Sequence, residues 1–139
     1  KNKINLICND NEVNILKKLN STTKVNFFHS LSDLEMYNLI DKSSIAIGAS
    51  GSSCWERCIL GIPSIVIPIS NNQESIAFSL NKHNAAILIK LEDIESKLRD
   101  AIKEIMFNKI NYLQMSKKAS SICDGYGSKR LYNILMSNF

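Results

Sequence analysis

The sequence has 139 residues, 45% of them apolar and 22% charged, with a formal net charge of +4. This is the balance of a single soluble globular domain with a real core. No apolar run approaches the roughly 20 residues of a membrane span, and the mild, scattered positive charge marks no nucleic-acid surface.

In chain order, "INLIC" (Ile4 to Cys8) is a short apolar run of the kind that forms a buried strand. Asn9 to Asn11 turn, and Val13, Ile15, Leu16 and Leu19 fall at helical spacing. Val25 to Phe28 is a second strand, and Leu31 to Lys42 a helix with Ser32 or Asp33 as its cap. Ile45 to Ala49 is a third strand. Ser52 to Leu60 is a helix that Gly61 ends, with Pro63 just beyond. Ile65 to Ile69 is a fourth strand whose Pro68 marks its end or a sheet edge. Asn72 to Lys82 is a helix and Ala86 to Ile89 a fifth strand. Three helices follow, over 92–107, 109–121 and 128–137. The strands are apolar throughout, without alternation, so coverage on both faces is expected. Strands alternating with helices predict an α/β fold, a Rossmann-like parallel sheet flanked by helices.

The cysteines are Cys8, Cys54, Cys58 and Cys123, and none form C-x-x-C. Cys54 and Cys58, four apart, share a helix face, but no flanking His or second Cys pair completes a metal set. They read as free buried thiols in a reducing cytoplasm. No cluster requires a metal or other cofactor. No signal-peptide pattern opens the chain. Lys1 rather than Met stands first, so a fragment or processed product is expected.

The segment Gly48-Ala49-Ser50-Gly51-Ser52-Ser53 falls between a strand and the following helix. Ligands of such sheets sit at the carboxyl ends of the strands. Small residues let backbone N–H groups approach a phosphate, and a helix start adds partial positive charge. A tight turn with a serine N-cap accounts for the same residues without a ligand. The segment is neither G-x-x-x-x-G-K-[ST] nor G-x-G-x-x-G. Glu56 lies in the next turn and a half. Its carboxylate suits a sugar diol, which offers two hydroxyl donors; otherwise it complements the helix dipole, with Arg57 or a neighbouring strand as partner. A second loop, "PISNNQES", brings Asn71, Asn72 and Gln73, amides that both donate and accept, although Asn is also common at caps and turns.

The stretch "IGASGSSCWERCILGIPSIVIPISNNQ" resembles the C-terminal domain of the UDP-sugar hydrolases of pseudaminic acid biosynthesis. The matching parts are Gly48 to Ser53, Trp55-Glu56-Arg57-Cys58, Leu60-Gly61-Ile62-Pro63 and Asn72-Gln73, and the tail "CDGYGSKRL" resembles the family's ending. The wider kinship is with GT-B glycosyltransferases. The resemblance implies that Ser50, Gly51, Ser52 and Ser53 hold phosphate and Glu56 holds ribose. Asn72 and Gln73 join this UDP-binding set, and the loop at Phe28 and His29 supplies the uracil pocket. It further implies the nucleotide-binding half of a two-domain UDP-sugar hydrolase, one domain over residues 1–139. The catalytic base lies in an absent N-terminal domain, so no residue here is assigned a catalytic role and the chain alone is expected to be inactive. His83 is not promoted to base. The alternatives are the donor-binding domain of a GT-B UDP-sugar glycosyltransferase, or a non-catalytic nucleotide-binding subunit. The expected partners are UDP or a UDP-sugar and the missing domain, with no nucleic acid and no membrane span.

Overall fold

The computed structural model describes residues 3–9, 12 and 25–137. The chain forms two compact units, Lys1–Asn38 and Leu39–Phe139. In the first, β1 (Ile4–Ile7) pairs in parallel with β2 (Val25–Phe28), Ile4 opposite Val25 and Ile7 opposite Phe28. The side-chain amide of Asn26 donates to Asn5 Oδ1 across the pair at 2.9 Å. After β1, the Asn9 N–H donates to the Glu12 carboxylate and the Glu12 N–H to Asn9 Oδ1, the reciprocal pairing of a capping box. The helix expected over Val13 to Leu19 lies outside the described residues. A second capping box starts α1 (Asp33–Asp41): the Ser32 hydroxyl and N–H both donate to the Glu35 carboxylate, at 2.6 and 2.9 Å, and hold its carboxyl below the usual range.

The second unit is built on a three-stranded parallel sheet, β3 (Ala46–Gly48), β4 (Ser64–Val66) and β5 (Ala86–Leu88), in that spatial order. Helix α2 (Ser53–Ile59) connects β3 to β4, and α3 (Asn71–Lys82) connects β4 to β5. A 3-10 turn at Leu91–Asp93 leads into α4 (Ile94–Phe107), followed by α5 (Lys109–Ile122) and α6 (Gly127–Ser137). The α/β character and the parallel strands agree with the expectation from sequence.

Among the described residues, coverage on both faces holds for β4 and β5: in β5, Ala86 and Leu88 pack with the cluster around Val66, and Ile87 with that around Ile65. Successive strand residues point to opposite faces. Val66 packs with Cys54, Cys58, Ala77, Leu80 and Ala119, while Ile65 packs with Ile89, Ile105 and Met115. At the edges of their sheets, Ile4 and Ile7 are each 47% exposed and Ile47 is 45% exposed. Among the described residues, no helix is long and apolar enough to cross a membrane.

Two helices of this unit end in the same way. In α2, the Gly61 N–H bonds to the Cys58 carbonyl and the Ile62 N–H to the Arg57 carbonyl, both at 2.9 Å, with Gly61 at φ +62°. In α3, the Asn84 N–H bonds to the Asn81 carbonyl and the Ala85 N–H to the Leu80 carbonyl, with Asn84 at φ +55°. Both are Schellman caps, and each turns the chain straight into the next strand. A Cβ on Gly61 would meet Ser116 Oγ at 3.2 Å and the Ser116 carbonyl at 3.3 Å. Gly61→Ala is therefore expected to destabilise by about 1–3 kcal/mol, from left-handed strain and crowding against α5, read as a lowered denaturant midpoint.

All four cysteines are free. Burial, with Cys54 and Cys123 nearby, pushes the Cys58 thiol up to about 11, against the opposing pull of Arg57. The thiolate is the reactive form, so alkylation of Cys58 in the folded chain should keep rising with pH through 9 and 10. A rate that levelled near pH 9, measured by mass spectrometry of the Cys58 peptide, would contradict the burial.

Candidate functional site

The site is built from the two loops that leave the carboxyl ends of β3 and β4. The ladder continues one step past the strands, where the Ile67 N–H donates to the Gly48 carbonyl at 2.9 Å. This fixes the start of both loops together. Ser50 is 0% exposed, and its hydroxyl donates to the main-chain carbonyl of Gln73 at 3.1 Å. Gln73 closes its own loop, its Oε1 accepting from the Ile69 N–H at 3.2 Å. Its Nε2 stands 3.8 Å from the place a Cβ on Gly51 would take. The fold thus brings together Ser50, Gly51 and Gln73, three of the residues singled out from sequence. Asn72 is exposed on the same turn, and its Oδ1 accepts from the Ser70 hydroxyl at 2.6 Å.

Ser52 and Ser53 are exposed, and their hydroxyls have no partner among the described residues. Serine capping does not explain the segment, because Ser52 takes helical angles (φ −57°, ψ −32°) and its side chain makes no cap bond. The helix start also keeps fewer donors than its position promises. The N–H groups of Cys54 and Trp55 bond back to the carbonyls of Gly51 and Ser52, each at 3.0 Å. Those of Gly51, Ser52 and Ser53 have no acceptor among the described residues.

Glu56 is exposed one turn into α2, and no cation pairs with it among the described residues. The suggested Arg57 partnership is absent. Arg57 turns inward, 6% exposed, and its Nη2 donates to the Ala49 carbonyl at 2.8 Å and to Cys54 Sγ at 2.9 Å. Sequence reading passed over Arg57 as a site element. The available signal was spacing: Cys54, Arg57 and Cys58 occupy one face at i, i+3 and i+4, and Gly48 and Ala49 leave room for a guanidinium.

Phe28 and His29 belong to the first unit. Phe28 ends β2 half-buried, and His29 is exposed just before Ser30, which takes φ +50°. His83 lies at the end of α3, its Nδ1 donating to the Ser79 carbonyl at 2.8 Å, which is helix-end work. In the tail motif, Asp124 accepts from the Tyr126 N–H at 3.0 Å and from Arg130 Nη1 at 2.6 Å. These bonds hold its carboxyl below the usual range and open α6. Among the described residues, no three His, Cys, Asp or Glu side chains are placed to hold a metal ion.

Unpaired main-chain N–H groups and hydroxyls at the end of β3, amides beside them and a carboxylate one turn on can receive an anion flanked by a hydroxyl-bearing group. The model of the glycosyltransferase family 28 C-terminal domain matches residues 4–130. The chain belongs to that family.

Similar proteins include three enzymes named UDP-N-acetylglucosamine–N-acetylmuramyl-(pentapeptide) pyrophosphoryl-undecaprenol N-acetylglucosamine transferase. That of Bacillus subtilis strain 168 is 34% identical over 96 residues, 66% of this chain and 26% of the relative. That of Bacillus licheniformis is 31% identical over 107 residues, covering 73% and 29%. That of Lactococcus lactis subsp. cremoris strain MG1363 is 31% identical over 106 residues, covering 72% and 30%. The chain therefore spans under a third of the length of these relatives.

These relatives overturn the expectation of a UDP-sugar hydrolase of pseudaminic acid biosynthesis, since the enzymes matched are transferases. The reason is chemical. The residues that carried the resemblance, Gly48 to Ser53, Trp55 to Cys58, Leu60 to Pro63 and Asn72-Gln73, include no group that would tell a hydrolase from a transferase.

The loop geometry separates serines that look equivalent in sequence. Ser50→Ala, in this family 28 domain, should cost about 1 kcal/mol through the lost buried bond to Gln73, whereas Ser52→Ala and Ser53→Ala should each change stability by under about 0.5 kcal/mol. Urea midpoints of the three variants measure this. Equal values would show that the Ser50–Gln73 bond does not hold the loops.

Proposed function

We propose that this chain is the donor-binding domain of a UDP-sugar glycosyltransferase, one domain of a longer enzyme. What carries the reading is the Ser50–Gln73 bond, which joins two loops rich in unpaired donors at the strand ends. The family assignment supports it. In this reading the N–H groups of Gly51 to Ser53 and the Ser52 and Ser53 hydroxyls hold the diphosphate. Glu56 accepts from the two ribose hydroxyls, and the Asn72 and Gln73 side chains complete the polar rim.

In the transfer, an acceptor hydroxyl gives up its proton to a base as its oxygen forms a bond to the anomeric carbon. The bond from that carbon to the phosphate oxygen breaks, and UDP departs with the electron pair. Preorganised N–H donors oppose the charge that builds on the leaving diphosphate. The relatives' names support N-acetylglucosamine as the sugar and a lipid-linked N-acetylmuramyl-pentapeptide as acceptor. The free thiols support a reducing, cytoplasmic setting.

Titration with UDP should move amide resonances of Ser50 to Glu56 and Asn72 to Glu74, and ADP should do so more weakly. Glu56→Gln should lower UDP affinity by about one to two decades, the worth of a charge-assisted hydrogen bond of roughly 1.5–3 kcal/mol. It should leave stability within about 1 kcal/mol. Unchanged UDP affinity with a lowered melting midpoint would return Glu56 to a helix-dipole role. Equal responses to ADP and UDP would sink the uridine reading.

A further inference from the structure

Arg57 is the only cation between Lys42 and Lys82, the segment that carries both loops. It is also 6% exposed. A guanidinium is expensive to bury without a carboxylate, and none pairs with it among the described residues. The ion pairs there, Lys97–Asp93, Lys103–Asp100 and Arg130–Asp124, lie elsewhere. Its Nη2 is spent on the Ala49 carbonyl and Cys54 Sγ, and its Nε is buried with no hydrogen-bond partner. Its Nη1 lies 3.2 Å from where a Cβ on Gly48 would stand, so the guanidinium packs directly against the start of the Gly/Ser segment. A methionine would fill similar space without the cost of burying a charge. Two bonds to neutral acceptors leave that charge uncompensated.

We propose that Arg57 is the positioning residue for the phosphate groups of the bound nucleotide. It sets the loop backbone through Ala49, and its uncompensated charge draws the diphosphate to the N–H groups of Gly51 to Ser53. The inference rests on the nucleotide reading of the loop. It adds the element that the loop lacks, since neither Gly48 to Ser53 nor Ile67 to Ser75 contains a Lys or Arg. It also gives the adjacent residues opposite duties: Glu56 faces outward to hydroxyls, and Arg57 faces inward to charge.

The test compares UDP with uridine, which lacks phosphate, in the intact protein at two salt concentrations. Arg57→Met should lose about tenfold or more in UDP affinity, hold uridine affinity within about twofold, and weaken the salt dependence of UDP binding. Arg57→Lys should recover part of the UDP affinity, because it keeps the charge and loses the guanidinium's planar, multi-donor geometry. Gly48→Ala presses a methyl group against the same guanidinium and should reproduce the pattern in smaller degree, which covers the case of an unfolded Arg57→Met. A lowered melting midpoint with an unchanged ratio of UDP to uridine affinity would make Arg57 structural and overturn the inference. Wild-type protein that fails to bind UDP while remaining folded would overturn the nucleotide reading itself.

Discussion

The two ladders made by β4 position both loops of the site. One joins Ala46, Ile47 and Gly48 to Ser64, Ile65 and Val66, and the other joins those three to Ala86, Ile87 and Leu88. Ser64, Ile65 and Val66 are all buried, with side chains committed to both faces. A one-residue slip would exchange Ile65 and Val66 between two different packing clusters. The register is therefore strongly specified, and with it the height at which the loops leave the sheet. The Ile67–Gly48 bond carries that specification into the loops, and the Ser50–Gln73 bond completes it.

The helix caps do similar work at the opposite ends of the connections. Gly61 and Asn84 both adopt positive φ, and each reverses the chain within two residues of its helix. Short reversals leave little freedom for where β4 and β5 begin. In α2 the capped carbonyl is that of Arg57. The residue whose side chain holds the loop at one end of the helix thus has its main chain held at the other end. Gly61 also sits against Ser116 of α5, so the cap is supported by packing as well as by hydrogen bonds.

The family assignment and the site geometry concern the same domain. The loop after β3 carries neutral donors, an outward carboxylate and an inward cation. A domain of this kind constrains the donor and is silent about the nucleophile. A resemblance carried by Gly48 to Ser53, Trp55 to Cys58, Leu60 to Pro63 and Asn72-Gln73 thus led toward a hydrolase, while the similar proteins are transferases.

By itself, the sequence determined the order and type of the elements, because apolar runs of strand length bounded by Gly, Pro and Asn leave few other readings. It also singled out a candidate site, because small residues clustered after a strand in a parallel α/β pattern point to the strand ends. Only the tertiary structure decided which serine is structural. Ser50, Ser52 and Ser53 have identical chemistry, and what separates them is that Ser50 lies under the Gln73 carbonyl, from a loop 23 residues away. It likewise decided that Arg57 faces Ala49 rather than Glu56, and that β4 takes the centre of the three-stranded sheet. The Ser50–Gln73 contact and the strand order depend on distances between segments far apart in the chain, which local spacing does not encode.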